Sequence, residues 1–269
     1  MQKNRFVIFG DPVEHSKSPQ MHNAAFEYLK HDNIYEKYLL KNANTINDVF
    51  NKEGFLGANI TVPHKETAYL KADEVRGIAQ KIQAVNTYIK ENDKIIAYNT
   101  DGAGFIKAIQ VFKNVKKVLI LGAGGTAKAI ALSLQEKNYD VTVINRSPEK
   151  LIFFKENNIR TFTWDNFRLN AYDLVVNATS AGLKDQEYPL PMQKLENVFL
   201  NAHYAFDCIY GITTPFLALA KKEKLQVKDG EDMLLYQGVL ALEYFLKQTI
   251  DTKTIEIMRQ ALKENNETH

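Results

Sequence analysis

Short apolar runs alternate along this chain with longer stretches in which apolar residues recur every three or four positions. The runs are rich in β-branched and aromatic residues, which is typical of buried strands, and the longer spacing predicts amphipathic helices between them. We predict strands over 6–9, 35–40, 58–62, 84–90, 94–98, 116–121, 141–144, 172–177 and 205–210. We predict helices from 19, over 46–52, from 63, over 75–82, over 105–112, up to 134, from 214, after 230 and over 254–263. Strands that alternate with helices in this way indicate an α/β fold.

Two parts of the pattern indicate different kinds of sheet. Residues 84–90 and 94–98 flank Glu91-Asn92-Asp93 and predict a hairpin, so the first half contains antiparallel pairing. Residues 116–121 are almost continuously apolar, which is typical of a parallel strand covered on both faces. We therefore predict two α/β domains, an N-terminal mixed-sheet substrate domain and a Rossmann-type dinucleotide-binding domain, with a cleft between them. The predicted bounds are 1–104 plus 238–269 for the first domain and 105–237 for the second.

Polar side chains cluster where the third predicted strand ends. Asn59 and Thr61 share one strand face, and Lys65 follows one turn later in the next helix. Taken alone, this spacing favours a capped helix with a solvated lysine. Two further polar groups, 86–87 and 99–101, and the glycine motif described below favour an enzyme site instead, because open α/β sheets bind ligands at strand ends.

Asp101 precedes the helix predicted over 105–112. A lone aspartate there is explained by its interaction with the N-terminal N–H groups, worth about 1 kcal/mol. Its place beside the strand that contains Asn86 would also let its carboxylate approach Lys65. The residues alone leave both interpretations open.

Two hydroxyl residues flank a lysine in the loop after the first strand. We predict that Ser18 is the N-cap of a helix whose first residue is Pro19. Ser16 has no such explanation, and two hydroxyls at a helix start suit a carboxylate ligand. Simple turn chemistry accounts for Ser16 equally well.

A glycine-rich turn follows the strand over 116–121. Gly122, Gly124 and Ala127 match the dinucleotide motif G-x-G-x-x-G/A, in which glycines let backbone N–H groups approach a pyrophosphate at a helix N-terminus. The motif lies between a predicted strand and a predicted helix, and the strand over 141–144 follows at the βαβ distance. This context favours dinucleotide binding.

The end of that next strand predicts which dinucleotide binds. NAD enzymes commonly place an acidic residue there to accept from the ribose 2′-hydroxyl. This chain has Asn145 followed by Arg146, Ser147 and, three residues later, Lys150, which suit a 2′-phosphate. Glu149 is the one opposing charge, and behind Pro148 we place it in a first helical turn. NADP is favoured over NAD.

Composition narrows the classes of partner and compartment. The 269 residues carry 34 basic and 32 acidic side chains, well mixed, for a net charge of +2. This balance disfavours nucleic-acid and membrane-surface binding. A single cysteine, Cys208, suits a reducing compartment, and no stretch has the length of a signal-peptide core or a spanning helix, so we predict a cytoplasmic protein.

A series of polar and glycine-containing motifs runs in order over nearly the whole chain. The first half contributes His15-Ser16-Lys17-Ser18-Pro19, Asn59-x-Thr61-x-Pro63-x-Lys65, Ala84-Val85-Asn86-Thr87 and Asn99-Thr100-Asp101-Gly102. The second half contributes 122–127, Asn145-Arg146-Ser147, Asn177-Ala178-Thr179-Ser180, Thr214-Pro215-Phe216 and Asp229-Gly230-x-x-Met233-Leu234-x-x-Gln237. Together these motifs resemble those of the shikimate dehydrogenase family. The resemblance implies NADP-linked reduction of 3-dehydroshikimate to shikimate in aromatic amino-acid biosynthesis.

The resemblance also implies a role for individual residues. Lys65 and Asp101 would be the catalytic pair, and Ser16 and Ser18 would hold the substrate carboxylate. The ring hydroxyls would be bound by Thr61, Asn86, Asp101 and Gln237, with Tyr210 nearby. The cofactor would lie on Gly122, Ala123, Gly124, Gly125, Thr126, Asn145, Arg146, Ser147 and Lys150, with Cys208, Gly230 and Met233 near the nicotinamide, and no metal is expected.

The chain departs from the family in small ways. Ser147 replaces a usual threonine and keeps its hydroxyl, and Gly211 follows Tyr210 where relatives vary. Gly77 stands where some members have an acid near the cofactor, so we expect that contact to be absent.

Several alternatives stay open at this point. Lys65 could transfer the proton or act as an electrostatic clamp. Quinate could be the substrate on the same fold, and a non-catalytic NADP-sensing regulator is a rival that the presence of both Lys65 and Asp101 disfavours. A monomer and a homodimer are equally compatible with the sequence.

Overall fold

A computed structural model describes residues 3–263 of the chain, which form two compact units. Within these residues, one unit runs to Gly104 and resumes at Leu234, and the other comprises Phe105–Met233. We predicted that the chain re-enters the first domain at residue 238, whereas in the structure it re-enters the first unit at Leu234. Gln237 therefore belongs to the first unit.

The first unit is built on a six-stranded mixed sheet. Its strands are β1 (Asn4–Gly10), β2 (Asn33–Leu39), β3 (Phe55–Ile60), β4 (Glu74–Val75), β5 (Thr87–Glu91) and β6 (Lys94–Tyr98), in the order β2-β1-β3-β5-β6-β4. Its helices are α1 (Ser18–Tyr28), α2 (Ile46–Lys52), α3 (Lys65–Lys71), α4 (Ala79–Ile82) and α5 (Asp101–Ala108), with a 3-10 turn at Ala43–Thr45. Strands β1, β2 and β3 are parallel, and the β5–β6 hairpin joins β3 in antiparallel pairing.

Antiparallel pairing brings polar residues from three strands to one edge of this sheet. Asn59, near the carboxyl end of β3, pairs with Thr87 at the amino end of β5. Thr87 in turn pairs with Tyr98 at the carboxyl end of β6. The segments that follow β3 and β6 and precede β5 therefore meet.

Both faces of this sheet are covered, as the two-residue period of β1 requires. Val7 and Phe9 pack into a core with α2, α3 and α4, whereas Phe6 and Ile8 pack against α1 and the two C-terminal helices. Those helices are α10 (Glu231–Leu246) and α11 (Thr252–Lys263).

The second unit contains a six-stranded sheet in which every pair is parallel. Its strands are β7 (Lys117–Leu121), β8 (Asp140–Asn145), β9 (Arg160–Thr163), β10 (Leu174–Asn177), β11 (Tyr204–Asp207) and β12 (Gln226–Lys228). Its helices are α6 (Gly125–Glu136), α7 (Ile152–Glu156), α8 (Met192–Phe199) and α9 (Pro215–Lys222), with 3-10 turns at Ile109–Val111 and Pro148–Leu151. The strand order β12-β11-β10-β7-β8-β9 is that of a Rossmann sheet, with the crossover between β7 and β10.

Three predicted strands have other bounds in the structure. The strand expected over 58–62 is β3, which ends at Ile60, and the strand expected over 84–90 is β5, which begins at Thr87. The strand expected over 205–210 is β11, which ends at Asp207. Thr61, Asn86 and Tyr210 therefore lie outside the strands in which we placed them.

Four other element predictions also need correction. The helix expected from Pro63 begins at Lys65, and the helix expected over 75–82 is a short strand followed by α4, because Gly77 with a φ of +65° turns the chain between them. The helix expected over 105–112 begins at Asp101 and ends at Ala108. Ser18 is the first residue of α1 rather than its N-cap, a position that Lys17 takes. Strands β9 and β12 and helix α8 have no counterpart in the predictions.

Within residues 3–263, no helix combines the length and the apolar character needed to cross a membrane.

His22 lies in the core of the first unit with no exposed surface. Its ring stacks on Tyr35 with centroids 4.4 Å apart, and Phe245 lies 5.8 Å away. Burial lowers the pKa of this imidazole from 6.5 to about 3, because the apolar surroundings disfavour the charged form. The folded protein therefore keeps His22 neutral where the unfolded chain would protonate it.

This difference predicts an acid-dependent loss of stability. Between pH 6.5 and 3 the unfolded state binds the extra proton, so the stability that neutral His22 allows is complete above pH 6.5 and falls as the pH falls. We expect the free energy of unfolding to drop by about 2 kcal/mol more in the unaltered protein than in His22→Leu between pH 7 and pH 5. Urea unfolding of both proteins at the two pH values measures this difference, and equal losses would contradict it.

Candidate active site

Lys65 and Asp101 form an ion pair at the polar edge of the mixed sheet. The Lys65 Nζ lies 2.5 Å from the Asp101 Oδ2, and the two side chains are 17% and 9% exposed. Lys65 is the first residue of α3, whose start is bound to the segment before β5 by a bond from the Val85 N–H to the Lys65 carbonyl. Asp101 opens α5, where its negative charge interacts favourably with the helix N-terminus. The carboxylate therefore binds Lys65 while it also occupies the position expected of a helix-stabilising aspartate.

Asn86 holds the other oxygen of that carboxylate. Its Nδ2 donates to Asp101 Oδ1 at 2.8 Å, to Thr100 Oγ1 at 2.9 Å and to Gln237 Oε1 at 3.3 Å. Its Oδ1 accepts from the Thr100 N–H and from Thr87 Oγ1, both at 2.9 Å. Asn86 is 2% exposed, and these bonds hold both ends of its amide group.

Gln237 reaches this group from α10 because α5 and α10 lie very close together. A Cβ on Gly104 would lie 2.7 Å from the Gln237 backbone nitrogen, so only glycine fits there. The Gln237 Nε2 donates to the Leu234 carbonyl, which leaves Oε1 directed at Asn86. The structure thus joins four predicted site residues, Lys65, Asn86, Asp101 and Gln237, in one hydrogen-bonded group.

The remaining predicted residues of the first unit are Ser16 and Thr61, on the loops that follow β1 and β3, and Ser18, the first residue of α1. Ser16 Oγ accepts from the Ser18 N–H at 3.3 Å, which is the local turn chemistry considered above, but its own O–H proton stays available for a ligand. Ser18 is buried and Thr61 is partly exposed. The Thr61 N–H bonds the Phe9 carbonyl, and its methyl fills the space that a side chain on Gly10 would need.

The glycine turn of the second unit has the backbone that the dinucleotide motif requires. Gly122 has a φ of +110°, and a Cβ there would meet Thr179 at 2.8 Å, so the position excludes other residues. Added Cβ atoms on Gly124 and Gly125 would meet nothing within 4 Å, which leaves the start of α6 open to a ligand. Ala123 and Thr126 complete the turn. An N-terminus open in this way fits the pyrophosphate of NADP.

The loop after β8 lies next to this turn. The Gly122 N–H bonds the Ile144 carbonyl, so Asn145 and the residues after it start beside the glycines. Asn145 Nδ2 donates to the Ser147 carbonyl at 3.0 Å and orders the loop. Arg146 is exposed, and its guanidinium lies 5.8 Å from the centroid of Trp164. Lys150 is also exposed, so this loop presents two cations and a hydroxyl to the solvent.

The buried Asp207 carboxylate holds together several segments of the second unit, and it was not among the site residues that we predicted. Its Oδ1 accepts from Asn177 Nδ2 and the Ile209 N–H, both at 3.0 Å, and its Oδ2 accepts from Thr214 Oγ1 at 2.6 Å. Burial raises the pKa of the Asp207 carboxyl, although the hydrogen bonds act in the opposite direction. A carboxylate that ends an otherwise apolar strand is the sequence signal that could have identified it.

The predicted nicotinamide residues lie on the segments that Asp207 holds. Cys208 and Tyr210 follow β11 directly, and burial raises the pKa of the Tyr210 phenol. Gly230 packs so closely on this segment that a Cβ would lie 2.3 Å from the Cys208 carbonyl oxygen. Gly230 therefore has a structural explanation of its own, and Met233 follows it, 7% exposed, in α10.

Two sequence profiles match the chain in the segments just described. Residues 8–88 match the shikimate dehydrogenase substrate binding domain, and residues 106–200 match shikimate / quinate 5-dehydrogenase. The chain belongs to the shikimate dehydrogenase family.

Two shikimate dehydrogenases from Helicobacter species are similar to this chain over almost its full length. The chain is 43% identical to shikimate dehydrogenase (NADP(+)) from Helicobacter hepaticus over 95% of this chain and 96% of that protein. It is 42% identical to the Helicobacter pylori (strain 26695) enzyme of the same name over 96% and 99% of the two chains.

A solved shikimate dehydrogenase shares the fold. The crystal structure of shikimate 5-dehydrogenase from Thermus thermophilus in complex with NADP(H) and shikimate has a TM-score of 0.86 and 34% identity, covering 97% of this chain and 98% of that one. The predictions of the family and of an α/β fold with a mixed-sheet domain and a Rossmann-type domain are confirmed.

Proposed function

We propose that this protein catalyses the reversible NADPH-dependent reduction of 3-dehydroshikimate to shikimate, on the route to chorismate and aromatic amino acids. Membership of the family confirms the predicted enzyme class, activity and cofactor. The single observation that carries the assignment of chemistry to residues is the Lys65–Asp101 ion pair, held by Asn86 at the polar edge of the first sheet.

Lys65 is the group that moves the proton. Reduction of a ketone adds a hydride to carbon and a proton to oxygen, and bound NADPH supplies the hydride. The Lys65 ammonium donates a proton to the oxygen as it becomes a hydroxyl, and the neutral amine takes a proton back in the oxidation direction. Asp101 orients Nζ through the 2.5 Å contact and offsets its charge. Because both side chains are mostly buried, water screens this pair only weakly.

The other first-unit residues position the substrate. Ser16 and Ser18 bind the carboxylate, and Thr61, Asn86, Asp101 and Gln237 bind the ring hydroxyls. Tyr210 is a further substrate-binding residue in this proposal. Ser16 supports this role because its hydroxyl proton stays free to donate while its oxygen accepts from the Ser18 N–H. A substrate with one carboxylate and several hydroxyls matches this set of hydroxyl and amide side chains.

The residues of the second unit fit NADP. Gly122, Ala123, Gly124, Gly125 and Thr126 would hold the pyrophosphate on backbone N–H groups. Asn145, Arg146, Ser147 and Lys150 would hold the adenosine 2′-phosphate, and Cys208, Gly230 and Met233 would line the nicotinamide position. The open space above Gly124 and Gly125 supports the first set.

We also propose that the protein works in the cytoplasm, as a monomer or homodimer, without binding nucleic acid or membranes. The near-balance of 34 basic and 32 acidic residues and the single cysteine support these points.

Steady-state assays with shikimate and quinate, each with NADP and NAD, test the function. Quinate carries an extra hydroxyl near the carboxylate, and a pocket not built for it loses on the order of 1–3 kcal/mol through unpaired polar groups. We expect kcat/KM for shikimate to exceed that for quinate at least roughly tenfold. Equal turnover of the two acids would refute the substrate assignment, and no turnover of either would favour a regulator.

Lys65→Ala tests the proton transfer. We expect kcat to fall by about two to four orders of magnitude, with a smaller change in KM, because the variant loses a group that acts mainly in the transition state. Lys71→Ala is the control, since Lys71 is an exposed lysine at the other end of α3. A Lys65→Ala enzyme that kept most of its kcat would exclude Lys65 from the chemistry.

Arg146→Ala tests cofactor selectivity. We expect KM for NADP to rise about tenfold while KM for NAD barely changes, because only NADP carries the 2′-phosphate that a guanidinium binds by charge-assisted hydrogen bonds. Arg168→Ala, an exposed arginine elsewhere in the second unit, is the control. If both cofactors weakened equally, Arg146 would act by stacking on adenine rather than by reading the phosphate.

A further inference from the structure

Thr87 follows Asn86 in the sequence and has no exposed surface, so it is not placed to contact the substrate. Its hydroxyl donates to Asn86 Oδ1 at 2.9 Å and accepts from Asn59 Nδ2 at 3.2 Å. Asn59 is 4% exposed, and its Oδ1 accepts from the Tyr35 hydroxyl at 2.7 Å. These side chains form a buried chain of hydrogen bonds that ends at Asn86.

The direction of every bond in this chain is fixed by groups that can act in only one way. The Asn86 backbone carbonyl can only accept, and it takes bonds from the Ile60 N–H at 2.8 Å and from Asn59 Nδ2 at 3.2 Å. Asn59 must therefore point its NH₂ group at Asn86 and Thr87. The oxygen of its amide is left facing Tyr35, whose hydroxyl must donate.

The same logic continues from Thr87 to the catalytic pair. Because Thr87 Oγ1 accepts from Asn59, its single proton is directed to Asn86 Oδ1. The Asn86 amide must then present its NH₂ group to the Asp101 carboxylate, which can only accept. An Asn86 amide turned the other way would set its oxygen against that carboxylate and would lose the bond.

We propose that Thr87 is a positioning residue for the dehydrogenase reaction, because its hydroxyl, together with the Thr100 N–H, holds the Asn86 oxygen so that the NH₂ group faces Asp101 and supports the Lys65–Asp101 pair. Asn59 acts through Thr87 in the same way. The inference rests on the proposed function, since it assigns Asn86 and Asp101 to the substrate site.

Two variants of Thr87 separate the hydroxyl from the shape of the side chain. Thr87→Val keeps the branched shape and removes the hydroxyl, whereas Thr87→Ser keeps the hydroxyl and removes the methyl. Both changes alter a fully buried position, so both are expected to lower Tm. Only Thr87→Val is expected to change the kinetics.

For Thr87→Val we expect kcat/KM for shikimate to fall about tenfold, which corresponds to about 1.4 kcal/mol. The fall should include a loss in kcat, since the catalytic pair is misplaced, and KM for NADP should stay within about twofold. Calorimetry should show a weaker Kd for shikimate in Thr87→Val than in Thr87→Ser. Thr87→Ser should retain at least about half of the unaltered kcat.

Thr142→Val is the matched control, because Thr142 is also a fully buried strand threonine but lies in the second unit. We expect it to leave kcat and KM for shikimate unchanged. If Thr87→Val does not fold, Thr87→Ala replaces it and carries the same expectation, as it also lacks the hydroxyl.

The outcomes distinguish this inference from the function on which it rests. An active unaltered enzyme whose Thr87→Val variant keeps kcat/KM within about twofold would overturn the inference alone. Equal losses in Thr87→Val and Thr87→Ser would also overturn it, because they would show a packing effect. An unaltered protein that neither binds nor turns over shikimate would overturn the proposed function and the inference together.

Discussion

The arrangement of Lys65, Asp101 and Gln237 in the first unit depends on the hydrogen bonds of the Asn86 carboxamide. It lies between groups that can only donate, such as the Thr100 N–H, and groups that can only accept, such as the Asp101 carboxylate. A buried amide with so many fixed partners has a single favourable orientation, and turning it would leave several polar atoms unsatisfied in a region of low dielectric. Asp101 and, through it, Lys65 are held in place by this constraint rather than by the ion pair alone.

The two sheets bring functional residues together by different routes. In the second unit every strand is parallel, so Asn145, which ends β8, lies at the same edge as Gly122, Ala178 and Cys208, which follow the carboxyl ends of their strands. In the first unit the hairpin pairs antiparallel to β3, and this brings Asn86, which precedes its strand, to the same edge as residues that follow β3 and β6. An open α/β sheet with only parallel strands could not have supplied Asn86 from that position.

Asp101 and Asp207 are both buried carboxylates, but their surroundings suit them to different roles. Asp101 faces the Lys65 cation and stays partly accessible, so its charge can act on a substrate. Asp207 has no exposed surface and accepts only from neutral donors, and burial raises the pKa of its carboxyl. These surroundings support the role proposed for Asp101 beside Lys65, whereas Asp207 joins Asn177, Thr214 and the segment after β11 through hydrogen bonds.

The sequence by itself was enough to predict the elements that are stabilised by local interactions. The helix predicted over 46–52 is α2 and the strand predicted over 94–98 is β6, residue for residue, because their apolar period and flanking turns act within a few positions. The motifs around Lys65, Asn86 and the glycine turn could also be identified from the sequence, since each combines particular residue types at a characteristic spacing. Their resemblance to one family supplied the candidate site residues and the cofactor.

Tertiary structure decided the elements and contacts that depend on distant partners. Strand β9 (Arg160–Thr163) is mostly polar and is a strand only because β8 pairs with it, so no local pattern predicted it. The helix expected over 75–82 is wrong because β6 pairs with Glu74–Val75 as an edge strand and Gly77 turns the chain after it. The bonds from Asn86 to Gln237, 151 residues later, and from Asn177 to Asp207 join segments whose separation carries no periodic signal. Local sequence specifies which groups are present, but only packing of the whole chain determines which donor meets which acceptor, because each buried polar group must find its partner wherever the fold places one.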